Sequence, residues 1–142
     1  MIIDCTYFTG LLSVGIGPDT GAPSVTREAE KDRINTYIDI YEIEYLNNIL
    51  GDDVCSEFVS YLESHKDSVE KWEKLYALLS EKYSPIACYV FFKYISEGNY
   101  SVTSVGTVTS SDEDAVSPMV LQIRAWNDMV NMNKRSMSCF NP

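Results

Sequence analysis

The stretch S-P-I-A-C-Y-V-F-F-K-Y-I-S-E-G, residues 84–98, decides the fold. It reads as a helix with both ends marked. Ser84 can cap the first free N–H groups, and Pro85 stands at the first helical position, where its missing N–H costs nothing. Gly98 suits the left-handed residue just past a helix end. Between them Ile86, Ala87, Cys88, Tyr89, Val90, Phe91, Phe92, Tyr94 and Ile95 cover every side, and a helix apolar all round is normally buried by neighbours. At roughly 13 residues it is too short to span a bilayer, which takes about 20. It is therefore expected to be the central helix of a small, mainly α domain, a bundle of about five helices.

The neighbours follow in both directions. Trp72, Tyr76, Leu79 and Tyr83 predict a helix over 68–83, with Asp67 and Glu70 at capping-box spacing. Val54, Phe58, Val59 and Leu62 predict another over 54–64, capped by Asp53. Residues 26–50 read as one long helix ended by Gly51. In it Ile34, Ile38, Tyr41 and Tyr45 share one face, Ile43, Leu46 and Leu50 another, and Ile40 lies on a third. A single packing partner needs a single stripe, so this helix is expected to meet both its own core and another chain. Downstream, Ser117-Pro118 repeats the cap-plus-proline start. Met119, Ile123, Trp126 and Val130 then form a stripe over 117–133, expected to pack on the central helix.

Three segments fall outside this pattern. Residues 1–24 form an arm, with Phe8 among the apolar residues of its tip and a Gly/Pro/Ser-rich loop behind. It either packs on its own domain or reaches a neighbouring subunit. Residues 99–116 carry Tyr100, Val102, Val105 and Val108 among Thr and Ser, which favours an extended excursion or β-hairpin able to pair with another chain. Residues 134–142 form a short basic tail with Phe140 as a possible anchor. The whole chain is read as one domain, its helical core at 25–98, and the candidate subunit-interface residues are Tyr100, Val102, Val105, Val108, Phe8 and Phe140.

The formal charge is -10 over 142 residues, and it is unevenly placed. No Lys or Arg lies between Arg33 and Lys66, where Asp39, Glu42, Glu44, Asp52, Asp53, Glu57 and Glu63 all fall. Such a chain does not hold DNA by counterion release. Cys5, Cys55, Cys88 and Cys139 are scattered, with no C-x-x-C pair, and read as free thiols in a reducing compartment. The first residues lack the basic and apolar regions of a signal peptide. Catalytic signals are absent. His65, the single histidine, sits at a polar junction, and no nucleophile motif, phosphate loop or EF-hand is present. Glu42 and Glu44 are two apart and face different ways on a helix. No catalytic residue, cofactor or metal site is expected.

Four stretches carry a resemblance: Y-E-I-E-Y-L-N-N-I-L-G at 41–51, Y-V-F-F-K-Y at 89–94, V-G-T-V-T-S at 105–110 and R-A-W-N-D-M at 124–129. With their order along the chain, they resemble the small helical head–tail connector (adaptor) proteins of tailed bacteriophages, of the crAss-like type. The resemblance implies a structural virion protein made in the host cytoplasm. It would form a homo-oligomeric ring of about twelve copies at the head–tail junction, touching portal and tail or other ring proteins. DNA would pass through the lumen without sequence-specific binding, and no membrane is involved. A second reading, from the acid-only stretch, is an acidic soluble inhibitor or regulator that mimics DNA toward a basic host protein.

Overall fold

The computed structural model describes residues 1–14, 25–64, 68–104 and 118–140, with side chains placed at 1–14, 27–64, 68–97 and 118–136. The chain is mainly α. Two 3-10 turns, Cys5–Tyr7 and Gly10–Leu12, precede α1 (Val25–Leu50), α2 (Asp52–Ser64), α3 (Glu70–Leu79), α4 (Pro85–Ser104) and α5 (Pro118–Phe140). Among the described residues there is no strand.

The start of α4 follows from its sequence. Ser84 Oγ accepts the Ala87 N–H at 3.2 Å, and the Cys88 N–H donates to the Ser84 carbonyl at 3.0 Å. Ile86, Ala87, Cys88, Val90 and Phe91 have no accessible surface. Helices α1 and α5 both pack on α4, and α2 packs on α1. Ile34, Ile38, Tyr45 and Leu46 of α1 and Ala125 and Met129 of α5 are buried in the same core. Each large apolar side chain taken out of water there contributes about 1.5–3 kcal/mol.

The far end of α4 differs from the expectation. The helix runs through Gly98 to Ser104, so residues 99–104 are helical and not extended, and Tyr100 and Val102 lie on helical backbone. Propagating an existing helix adds one hydrogen bond per residue fixed, and this outweighs the roughly 1 kcal/mol cost of one interior glycine and the β-preference of Val and Thr. Val105 and Val108 lie outside the described residues. Helix α5 likewise continues past 133 to Phe140, because nothing between Met119 and Phe140 is Gly or Pro. Gly51 does end α1, at φ 80°, and its carbonyl accepts the Cys55 N–H at 2.9 Å. Asp53 is thereby drawn into the first turn of α2 beside Asp52, where both carboxylates meet the positive end of the helix dipole. Helix α3 starts from Val69, which offers no side-chain cap, and ends at Leu79; Asp67 of the expected capping box lies outside the described residues.

The first 14 residues pack on their own domain. Ile2, Ile3, Phe8 and Leu12 are buried, and Tyr7 Oη donates to the Ser80 carbonyl at 2.6 Å. Phe8, only 1% exposed, therefore has no surface to offer another subunit.

Glu42 fixes this segment to α1. Counted from sequence among the acids of an exposed run, it is only 4% exposed. The Ile2 N–H donates to both of its carboxylate oxygens at 2.9 Å and the Ile3 N–H to one at 3.1 Å, with the Met1 ammonium 3.7 Å away. A buried carboxylate left without partners costs several kcal/mol, and charge-assisted bonds to N–H groups offset that cost. Glu42→Ala is expected to lower the unfolding free energy by about 3 kcal/mol and Glu42→Gln, which keeps one acceptor, by about 1–2 kcal/mol, both read from urea denaturation at neutral pH.

Candidate interaction surface

An aromatic band crosses α1, α4 and α5. Tyr37 stands 5.0 Å from Tyr94 and 5.7 Å from Tyr41, centroid to centroid. Tyr41 and Trp126 each lie 6.5 Å from Tyr89, and Phe92 lies 5.0 Å from Trp126. Tyr37, Tyr41 and Tyr45 come from i, i+4, i+8 of α1, so one helix face supplies three rings. Lys93 lies over two of the α1–α4 rings, its ammonium 5.0 Å from the Tyr41 centroid and 5.4 Å from that of Tyr89. The same ammonium is 3.0 Å from a carboxylate oxygen of Glu44.

Five tyrosine hydroxyls in and beside this band donate to acceptors on another helix or segment. Tyr94 Oη reaches Glu30 at 3.0 Å, Tyr45 Oη reaches Asn133 at 2.5 Å, and Tyr83 Oη reaches Asp128 at 2.6 Å. Tyr41 donates to Glu97 and Tyr89 to Glu44. The bonds to carboxylates help hold Tyr41, Tyr83, Tyr89 and Tyr94 neutral. The Glu97 bond, with some burial, pushes Tyr41 up to about 12. Burial, then the Glu30 bond, pushes Tyr94 up to about 12. Burial also raises Tyr45 and Tyr83. The bonds from Tyr89 and Lys93 hold the Glu44 carboxyl below the usual range. The pairs act as struts, and their phenols stay neutral well above neutral pH.

Beyond the band, the outer face of α5 is open. Met119 is 65% exposed, Ile123 54% and Trp126 41%, with Val120 beside them also exposed. This is the stripe expected to pack on α4. Only its Trp126 and Val130 do so, Trp126 against Phe92 and Tyr89 and Val130 partly buried against the core. Ala125 and Met129 fill the buried seam, where the small Ala125 side chain lets the two helices approach closely, and Met119 and Ile123 face out. On α1, Ile40 and Ile43 are exposed in the same way, as expected for a helix with more than one apolar face.

Two grooves flank α3. The first encloses about 780 Å³ between α1, α2 and α3, with Ile43, Leu46, Val59 and Leu62 on its walls and Glu63 and Glu73 among its polar residues. The second encloses about 230 Å³ and is lined by Trp72, Leu75 and Leu79 of α3, with Asn133 and Ser136 of α5.

The reactive side chains do not gather. Burial pushes the Cys88 thiol up to about 11 and raises that of Cys55, so both stay protonated and behave as small apolar residues. Among the described residues no three of His, Cys, Asp and Glu lie close enough to share a metal ion. His65 lies outside the described residues. Of the nominated interface residues, Tyr100, Val102 and Phe140 lie on helical backbone at the ends of α4 and α5, with side chains outside the described ones, and Phe8 is in the core. The residues that do form a surface, Met119, Ile123 and Trp126, were visible as a stripe, but their spacing alone did not say which way it faced.

No family model, curated protein or solved structure matches this chain. No helix among the described residues is long and apolar enough to cross a membrane.

Tyrosine titration tests the struts. A phenol whose pKa rises above the unfolded value of 10.0 contributes stability that is complete below pH 10 and lost as pH climbs through about 12. Absorbance at about 295 nm is expected to show part of the tyrosines ionising near 10 and a second group only near 12, as unfolding sets in. Tyr41→Phe should shrink the late group by one.

Proposed function

We propose that the chain is a structural subunit that works by packing against other protein chains. The observation that carries this is the outer face of α5, where Met119, Val120, Ile123 and Trp126 stand open beside an aromatic band whose own hydroxyls are already paired. Adjacent exposed large apolar residues mark an interaction site more often than isolated ones do. Cys55 and Cys88 are buried and the paired phenols stay neutral, so the reading rests on the open surface and not on chemistry at these groups.

Within that class the narrower reading is a virion protein of the head–tail connector ring. In this reading a helical bundle around α4 holds several surfaces rigid, and about twelve copies close a ring by head-to-tail contacts in which two different patches meet. The ring would sit between portal and tail, with DNA passing through. A net charge of -10 would keep the lumen from gripping phosphates. The likeness of 41–51, 89–94 and 124–129 to connector proteins is the basis for this step. The DNA-mimic reading is weaker, because a mimic needs carboxylates along one face. Glu42 is turned inward to Ile2 and Ile3, and Glu44 is held by Tyr89 and Lys93.

The pair Met119→Glu and Ile123→Glu tests it. Both positions are exposed, so the monomer's unfolding free energy should move by no more than about 0.5 kcal/mol per site. Ring particles, seen by electron microscopy and by particle mass, should be lost. Assembly at the wild-type level would overturn the role of α5. A wild-type chain that binds no portal or tail component and is absent from virions would overturn the connector reading.

A further inference from the structure

We infer that the groove between α1, α2 and α3 receives the basic C-terminal end of α5 from a second copy of this chain. The inference rests on the assembly reading above and gives it a specific contact.

The groove combines apolar walls with acidic polar groups. Ile43, Leu46, Val59 and Leu62 line it, together with Glu42, Glu63 and Glu73, and among its described lining residues the one cationic group is the Met1 ammonium, 3.7 Å from Glu42. Its volume of about 780 Å³ is within the roughly 300–1,000 Å³ of clefts that take a bound group. The helices that build it also carry Asp52, Asp53 and Glu57, all exposed, and no Lys or Arg lies between Arg33 and Lys66. These acids outnumber the Met1 ammonium at the groove, so its field is negative and favours an occupant with positive charge next to apolar side chains.

The chain contains one stretch of that composition. After Asp128 there is no further acid, and Lys134 and Arg135 stand exposed near the end of α5, followed in sequence by Met137 and Phe140. Burying a Lys or Arg at the rim while its neighbours enter an apolar cleft gives charge pairing and area together.

The contact has to be made between copies. Trp72, Leu75 and Leu79 of α3 line the second groove, where the chain's own Asn133 and Ser136 sit; Glu73 and Tyr76 line the first. The two grooves lie on different sides of α3, and Tyr45 holds Asn133 at 2.5 Å. The end of α5 is thus kept on the far side of α3 from the acidic groove of its own chain. Groove and tail are different patches, so the contact is heterologous: it leaves a free groove at one end and a free tail at the other, and it propagates.

Charge reversal in the full chain tests this. Two variants are made, Glu63→Lys with Glu73→Lys, and Lys134→Glu with Arg135→Glu, each checked for wild-type helix content by circular dichroism. Sedimentation then follows mass against concentration up to about 1 mM, the range where weak contacts populate. The wild type is expected to grow beyond a dimer, with growth weakened by salt, and each variant alone to stay monomeric. Mixed, the two variants are expected to grow again in alternation, because each groove then meets a tail of opposite charge. Wild type that shows no growth overturns the inference, as does growth that persists in either variant. Growth that halts at a dimer and survives both reversals removes this contact but leaves an assembly subunit. Growth abolished by reversal, but into open filaments with no closed ring, keeps the contact and removes the connector reading.

Discussion

A helix that is apolar on every side has to be covered on every side, and the fold is the arrangement that achieves this for α4. Ile86, Ala87, Cys88, Val90 and Phe91 leave no water-facing stripe at its N-terminal half. Helix α1 supplies Ile34, Ile38 and Tyr45, α5 supplies Ala125 and Met129, and the N-terminal turns bring Phe8 and Leu12. The constraint also explains why the first residues are held so firmly. Without the Glu42 carboxylate to receive the Ile2 and Ile3 N–H groups, this covering strand of chain would carry unpaired backbone donors into an apolar site.

Tyrosine lets the same band be core and strut together. Its ring buries like Phe, and its hydroxyl reaches the edge of the packed region to find a carboxylate or amide. Tyr94 to Glu30, Tyr89 to Glu44 and Tyr41 to Glu97 each join α4 to α1 in this way. A helix pair held by rings alone can slide by a turn at modest cost; one held by rings and directional bonds has a single register.

How much of this was legible in the sequence depended on range. Ser84-Pro85 and Gly51 mark their helix ends through bonds made within a few residues, and both ends fall where the residues place them. The all-round apolar character of 86–95 likewise announces burial. Gly98 misled because a glycine shows only that a stop is easy, and α4 had no breaker after it to enforce one. The α5 stripe misled for another reason. Helical spacing shows that Met119, Ile123, Trp126 and Val130 share a side, but how far that side turns inward is set by fit against α4: Ala125 and Met129 fill the seam, Trp126 and Val130 flank it, and Met119 and Ile123 are left outside. Glu42 was the least legible. Its partners lie about 40 residues away, at Ile2 and Ile3, and no local pattern separates a buried acid from the exposed ones around it.

The two tryptophans stand in unlike surroundings. Trp72 is buried against Phe58, with the Lys71 ammonium 3.9 Å above its ring, while Trp126 lies half in water on the open face of α5 against Phe92. Their emission therefore divides by location. The bluer, shielded component reports on the packing of α2 and α3, and the redder, quencher-accessible one on whatever comes to cover α5. The native chain thus carries its own optical probe of association, separate from its probe of folding.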